Sequence, residues 1–458
     1  MKKFTISEII NATGCSLIQG NEKDYVLGFS IDSREIDENQ MFCTVIGERS
    51  NGHDFIKQVV SKGIKNIFVS DLKKTPLEEL EGINVLYSED VVASLHKLSA
   101  YYLDTLPLKK RIGVTGSVGK TSTRDMMYYV ASTKYKTARN KKNYNSIHGL
   151  PLAILEFPED TEIAVLELGM DAPGEIDRLA QIVKPDIAII TQIAEVNIRK
   201  MKNIENIVRA KMEITDYFNE ESVLVVNSAC PELSKVRVSG DYRLLSVDDN
   251  GQGDFNVSDI KDYGDKGVSF VFDDGSCRQL VELPTAGAHN AYNAGLAMAV
   301  GQLIGISPAE AAEGLKQAEL TGKRLNIFEK NGLKIIDDCY NACEKSVKSA
   351  INTLAATEAK RRVAILGDVI GLEDRAEAAH RSMGEHVAKK GIDILVAVGE
   401  DGFYYADEAK KYMNSDSVMY FAQKEDFIKA KNDIIKDGDV ILVKASRGME
   451  MEKIINEL

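Results

Sequence analysis

Tryptophan is absent from the 458 residues, and the chain holds only six cysteines, six histidines and nine prolines. The cysteines (Cys15, Cys43, Cys230, Cys277, Cys339 and Cys343) are scattered, with no Cys-x-x-Cys pair. This excludes a disulfide framework and predicts reduced thiols in a cytoplasmic protein. Cys339 and Cys343 stand close together, but without a second ligand pair they read as two incidental thiols. No apolar run reaches the ~18 residues a membrane-spanning helix needs. The first residues, Met1 to Gly14, form an amphipathic segment without the apolar core of a signal peptide. Positive charge is also short: 57 Lys plus Arg stand against 70 Asp plus Glu, a formal charge of −13. That balance argues against nucleic acid and anionic membranes as partners. It leaves room for an anionic small ligand in a locally basic pocket.

What is present is a globular composition, 44% hydrophobic and 28% charged, in a length that predicts roughly three domains of about 150 residues. Strand candidates at Ile64 to Val69 and Asn84 to Leu86 precede a helix over Val91 to Leu103. A short basic linker, Leu106 to Lys110, then marks a domain boundary near Lys109. Apolar runs at Arg111 to Thr115, Ile163 to Leu168, Asp186 to Thr191 and Ser222 to Asn227 are separated by helical stretches, the rhythm of a parallel sheet. From Phe255 to Leu283 alternating strands and the turns Asp-Tyr-Gly-Asp and Asp-Asp-Gly predict an antiparallel insert. Ala288 to Ile304 reads as a tightly packed helix. A second α/β unit starts near Gly322, with strands at Leu333 to Asp337, Arg362 to Leu366, Ile394 to Val398 and Val440 to Val443. The expected fold is therefore α/β with three domains over 1–108, 109–321 and 322–458. The central one is a mononucleotide-binding parallel sheet and the last is Rossmann-like.

The strongest local signal is the stretch from Gly113 to Ser122, GVTGSVGKTS. A strand, a glycine loop, Lys-Thr and a helix form the arrangement a triphosphate needs. Backbone N–H groups of the loop (Gly116, Ser117, Gly119) and the helix start (Thr121, Ser122) cradle phosphate oxygens. Lys120 meets the β/γ charge, and the Thr121 hydroxyl holds Mg²⁺. Glu167 ends an apolar strand, where open α/β sheets place ligand-binding groups, and reads as a metal carboxylate. Lys211 by itself reads as an ordinary exposed helical lysine. His148, His289 and His380 read as packing or capping residues.

Taken together these segments resemble the Mur ligases, the ATP-dependent amide-forming enzymes of peptidoglycan assembly, and within them the branch that adds D-alanyl-D-alanine. The likeness runs along nearly the whole chain. It is carried by Asp32-Ser33-Arg34, Asn51-Gly-His-Asp-Phe55, the glycine loop, Asn143-Tyr-Asn145 with Gly149 and Pro151, Glu167-Leu-Gly-Met, Gly287-Ala-His-Asn290 with Asn293, Lys323-Arg324-Leu325, Asp337-Asp338-Cys-Tyr340-Asn341-Ala, and Lys444-Ala-Ser446-Arg447. The resemblance implies a UDP-sugar site with Ser33, Arg34, Asn143 and Asn145, and ATP contacts from Asn290, Arg324 and Asp338. It implies an amine-substrate site with Tyr340, Asn341, Lys444, Ser446 and Arg447. Lys211 matches the lysine that the family carbamylates with CO₂, giving a carboxylate-like metal ligand beside Thr121 and Glu167. The implied reaction joins D-Ala-D-Ala to UDP-MurNAc-tripeptide through an acyl phosphate, in a monomer.

Departures from the family pattern leave alternatives open. Asn197 stands where a metal-binding histidine is usual, so one Mg²⁺ or two are both admitted. Glu195 nearby reads as a solvated charge. Cys343-Glu344, Gly371 and Ala445 also depart, in the last domain. A Mur-like ligase for a different amine and carboxylate, or a nucleotide-binding protein without turnover, are the rival readings.

Overall fold

A computed structural model describes residues 2–47, 50–141, 143–196, 198–238, 240–321 and 325–458. The N-terminal part holds a short ribbon of β1 (Phe4–Thr5) and β3 (Tyr25–Val26), and a five-stranded sheet. That sheet runs β2 (Ser16–Gln19), β7 (Asn84–Tyr87), β6 (Asn66–Val69), β5 (Met41–Cys43), β4 (Phe29–Ser30), with only the β2–β7 pair antiparallel. The helix Val91–Thr105, capped by the Asp90 carboxylate on Ala93 N, carries the chain out of this part. Its apolar face packs on the helices Gly149–Leu155 and Glu175–Val183. Leu98, Tyr102 and Leu106 therefore share one core with Leu150, Ile176 and Leu179. The basic segment after Leu106 is thus a passage between two fused cores.

The central sheet has nine strands in the order β16-β15-β14-β13-β12-β11-β8-β10-β9. In chain order they are β8 (Lys110–Thr115), β9 (Thr137–Arg139), β10 (Ile163–Glu167), β11 (Ile187–Ile190), β12 (Val223–Asn227), β13 (Arg243–Asp248), β14 (Phe255–Asp262), β15 (Val268–Asp273) and β16 (Arg278–Leu283). Strands β9 to β14 with β8 are parallel, and every residue of β10, β11 and β12 is buried, as helices on both faces require. The antiparallel hairpins β14–β15–β16 form at the expected turns. They extend the edge of this sheet instead of standing apart as an insert, because Val247 and Asp248 of β13 pair in parallel with Phe255 and Asn256 of β14.

The C-terminal sheet runs β17 (Asn326–Lys330), β18 (Leu333–Asp337), β22 (Val440–Lys444), β19 (Arg362–Gly367), β20 (Ile394–Val398), β21 (Val418–Phe421), parallel except for β17–β18. It carries its own apolar clusters on its two faces. Both large sheets reverse their winding beside a central strand: β8 lies between β10 and β11, and β22 lies between β18 and β19. Crevices outside the carboxyl ends of such strands are where open α/β sheets take ligands.

Candidate active site

Strand β8 ends at Thr115, and the loop Gly116 to Gly119 leads into the helix Lys120–Ser132. Two glycines make this turn possible. Gly116 sits at φ +146°, where a Cβ would lie 2.1 Å from Thr191 Oγ1, and Gly119 at φ +88°, 2.6 Å from Asn293 Oδ1. No L side chain fits either position. The loop is fixed from β11: Ser117 N donates to Gln192 O at 2.6 Å, and Thr191 Oγ1 donates to Val118 O at 2.6 Å. Lys120 Nζ curls back on the loop, 2.9 Å from Gly116 O and 3.2 Å from Ser117 O. Thr121 and Ser122 are buried at the helix start. Asn290 is also buried, with Nδ2 on Ala286 O at 2.8 Å and Oδ1 accepting Asn293 Nδ2 at 2.9 Å.

Beneath the loop lies a set of buried charges. Glu167, at the end of β10, is fully buried and accepts Asn145 Nδ2 on Oε1 at 2.7 Å and Arg124 Nη1 on Oε2 at 3.3 Å. Arg124 and Asp125, adjacent on the phosphate-loop helix, are fully buried and ion-paired at 2.5 Å. Lys211 is 3% exposed, which corrects its reading as an exposed helical lysine. Burial in the dry interior pushes its amine far below the ordinary lysine range, and the Lys120 cation adds to the push. A neutral amine is the nucleophilic form.

The C-terminal domain closes the other side. The cavity is lined by Ser117, Gly119, Lys120, Ser122 and Asn290 from the central domain and by Asp338, Tyr340, Asn341 and Lys444 from the C-terminal one. Lys444 is 2% exposed; its Nζ lies 2.6 Å from Asp338 Oδ2 and donates to Asn341 O at 2.9 Å. It holds the Asp338–Asn341 segment in shape. Ser446 Oγ accepts Ile370 N at 2.8 Å, and Arg447 lies with its guanidinium carbon 5.4 Å from the Tyr340 ring centre.

Several expected site residues sit elsewhere or do other work. Asn145, expected at the UDP-sugar, gives its amide to Glu167 and belongs to the buried charge set, because Gly169 lets the two segments approach. Asn143 is exposed on the same segment. In the N-terminal domain Arg34 grips Asp32 with Nε at 2.9 Å and Nη2 at 2.6 Å, holding that carboxyl down at about 2. Ser33 is buried beside them, its carbonyl accepting Lys62 Nζ at 2.7 Å. Glu195 is not simply a solvated charge: it pairs with Arg375 of the C-terminal domain. Lys345 makes a second bridge there, donating to Ile193 O at 3.0 Å. His289 lines the cavity and bonds Ser349 Oγ at 2.7 Å. Gln192, Lys345 and Ser349 line the cavity without having been singled out in sequence, since they face it only through long-range packing. Asn197 and Arg324 lie outside the described residues.

One further cluster, Asp368, His380 and Asp401, brings possible ligand atoms within 4.8 Å of one another. His380 has no nitrogen to spare for a metal. Its Nε2 accepts Val369 N at 3.1 Å and its Nδ1 meets Ala376 O at 2.6 Å. Asp368 is pushed up to about 6 by burial and the neighbouring Asp401 charge. The folded chain therefore keeps this proton between 3.8 and about 6, where the unfolded chain releases it. Its contribution to stability is present at the acid end and lost as pH rises through about 6. Denaturant midpoints of wild type and Asp368→Asn, taken across this range, are expected to separate in favour of the wild type as pH falls. A constant difference would contradict this linkage.

A family model described as the Mur ligase middle domain matches residues 114–301, and one described as the Mur ligase, glutamate ligase domain matches residues 323–447. The UDP-N-acetylmuramoyl-tripeptide–D-alanyl-D-alanine ligase of Bacillus subtilis is 35% identical over 450 residues, covering 95% of this chain and 94% of the relative. This chain belongs to the Mur ligase family. The crystal structure of MurF from Acinetobacter baumannii matches with a TM-score of 0.88 at 27% identity, covering 100% of this chain and 99% of that one. A MurF ligase of Thermotoga maritima, solved in complex with ADP, matches with a TM-score of 0.79 at 26% identity, covering 94% of this chain and 96% of that one. The three-domain Mur ligase architecture thus extends over the whole chain, and the loop that opens with Gly116 falls inside the matched middle domain.

Proposed function

We propose that this Mur ligase joins D-alanyl-D-alanine to UDP-MurNAc-tripeptide, the pair its relatives' names carry, and that it does so with ATP and in the cytoplasm. The observation that carries the reading is the cavity itself: a phosphate loop with Lys120 on one wall, and the Asp338–Asn341 segment of another domain on the opposite wall. Residues 109–321 would then hold ATP, 1–108 the UDP-sugar and 322–458 the amine.

In the first step the γ-phosphoryl group passes from ATP to the terminal carboxylate of the tripeptide, giving ADP and an acyl phosphate. The free amine of D-alanyl-D-alanine then attacks the acyl carbon and gives up a proton. The tetrahedral adduct collapses as the carbon–oxygen bond to phosphate breaks. Lys120 and the loop N–H groups stabilise charge on the transferred phosphoryl group, and closure of the domains keeps water from the acyl phosphate. The oxygen donors Thr121, in the first turn of the phosphate-loop helix, and Glu167, at the end of β10, are both buried and would suit Mg²⁺ on the phosphates. Bound there, it supplies further neutralisation of phosphate charge. The buried Lys211 amine, its basicity lowered by burial, suits addition to CO₂ in its neutral form: its nitrogen bonds the carbon and releases a proton, leaving an anion able to join that donor set.

Phosphate release is expected only with ATP, UDP-MurNAc-tripeptide and D-Ala-D-Ala together. Release with another amine and none with this one would overturn the substrate assignment while keeping the ligase. Lys211→Ala is expected to lose about 100-fold or more in turnover. It should also lose the carbamate resonance that isotopically labelled bicarbonate gives in the wild type. A wild-type protein without that resonance would count against the carbamate. Asn197→His provides a companion test of the second metal position.

A further inference from the structure

Next to the active-site cavity lies a second one, of about 190 Å³, between the same two domains. Its charged walls are Glu195 and Glu232 of the central domain and Glu344, Lys345 and Arg375 of the C-terminal one. Ala194, Ile204, Leu372 and Ala379 give it an apolar lining. Cys343 and Lys345 line both cavities, so the two share a wall. The Cys343-Glu344 departure from the family pattern falls on that wall, and Gly371 adjoins it through Leu372.

These charges are paired but not saturated. Arg375 meets Glu195 through Nη1 alone, which leaves most of a five-donor fork for a second acceptor. Glu344 Oε1 accepts Lys348 Nζ at 2.7 Å. Glu232 Oε2 accepts the Cys230 thiol at 3.0 Å, with the Lys345 ammonium 3.9 Å away. Each carboxylate keeps lone pairs for a further donor. The Glu232 and Glu344 side chains are 24% and 32% exposed, so a ligand's ammonium displaces water there without leaving a buried charge unpaired. A fitting ligand carries both signs on an apolar stem: a carboxylate for Arg375 and an ammonium for Glu232 and Glu344.

Of the two substrates proposed above, only one can keep such an end through the reaction. The amine of D-alanyl-D-alanine must shed a proton to attack, and neighbouring carboxylates would hold it protonated. The reacting carboxylate of the tripeptide belongs with the phosphates in the first cavity. The side chain of that same residue leaves from the adjacent carbon and takes no part in the chemistry. Its fourth carbon lies about 5 Å from the backbone, the reach needed to pass a wall one side chain thick. We infer that the second cavity is the specificity pocket for the side chain of the peptide's third residue. Arg375, Glu232 and Glu344 there select a side chain ending in both an amino group and a carboxylate, as diaminopimelate does, over one ending in an amino group alone, as lysine does. The inference rests on the substrate pair proposed above.

The test uses the full-length protein, ATP, D-Ala-D-Ala and three tripeptide nucleotides that differ only in their third residue: diaminopimelate, lysine, or norleucine, which ends in a methyl group. From phosphate release, kcat/KM is expected to be about tenfold higher for the diaminopimelate substrate than for the lysine one, and lowest for norleucine. Arg375→Gln should erase the margin of diaminopimelate over lysine. Glu344→Gln should narrow that of lysine over norleucine by at least threefold. Glu195→Gln removes the bridge between the domains but leaves Arg375 in place, so it should preserve the first margin. Should Arg375→Gln fail to fold, Glu344→Gln decides alone. A lysine or norleucine substrate as good as the diaminopimelate one would overturn the inference, as would margins that survive both substitutions. So would a loss of the first margin in Glu195→Gln as complete as in Arg375→Gln, which would assign these side chains to the domain contact alone. No release with any of the three, while another amine and carboxylate pair is joined, would overturn the functional reading beneath the inference instead.

Discussion

Lys120→Ala is expected to lower turnover by about 10³-fold while leaving the thermal unfolding midpoint close to wild type. The ammonium group lies 2.9 Å from Gly116 O and 3.2 Å from Ser117 O, two carbonyls of the loop. Phosphate oxygens carry full charge, so they outcompete these carbonyls once they enter the loop, and the cation follows the charge as it builds on the transferred group. An interaction that strengthens toward the transition state acts on kcat more than on ground-state binding. The loop does not depend on the side chain for its shape, since Thr191 and Gln192 hold it from β11. Lys120→Arg should recover little, because a planar fork on a longer stem cannot occupy the same place as a compact ammonium. A second consequence follows for Lys211. The Lys120 charge is one cause of its depressed basicity, after burial, so Lys120→Ala makes the Lys211 amine somewhat easier to protonate. Single-turnover phosphate release together with ATP titration checks the prediction. A fall of less than about tenfold would show that the loop N–H groups carry most of the stabilisation.

The difference between Lys120 and Arg124 shows what sequence could and could not supply. The strand, glycines and Lys-Thr pair of the phosphate loop are adjacent in the chain, so spacing alone gives their geometry. Glu167 was legible for a related reason, as a carboxylate at the end of a wholly apolar run. Arg124 and Asp125 look like ordinary surface charges on a helix; only the packing of that helix against the sheet and the helices His289–Leu303 and Pro308–Leu315 shows that they are buried. The Glu195–Arg375 and Lys345–Ile193 bridges join segments with no local signature, so neither could be read from the chain. Among the strands, the apolar runs of β10, β11 and β12 stood out. Strand β13, half exposed over Arg243 to Ser246, lacks both a clean alternation and an apolar run. The turns at Asp262–Gly264 and Asp273–Gly275 placed the hairpins, but a turn does not say which sheet a hairpin will join.

The largest effect on stability is expected from Arg124→Met. This residue is fully buried and reaches two buried carboxylates, Asp125 through Nε and Nη2 and Glu167 through Nη1. Replacing a buried cation with an apolar side chain of similar length keeps the volume but leaves buried negative charge without its partner, a loss of about 3–5 kcal/mol. Both carboxylates lose a charge partner: Asp125 retains Arg139 at 2.9 Å and the Thr321 N–H at 2.6 Å, and Glu167 retains Asn145 at 2.7 Å among its partners. The penalty should therefore be shared between them. It follows that Glu167→Gln, harmful to activity by itself, should restore roughly half of the lost stability in the Arg124→Met background, a non-additivity expected of groups in one network. Arg124→Lys should lie between wild type and Arg124→Met, because one ammonium restores the charge without the fork that serves both acids. Denaturant unfolding of wild type, the three single variants and the double variant checks the order. If Arg124→Met cost less than about 1 kcal/mol, water or relaxation would have to reach the cluster, contrary to its burial. Equal losses with and without Glu167→Gln would place the penalty on Asp125 instead.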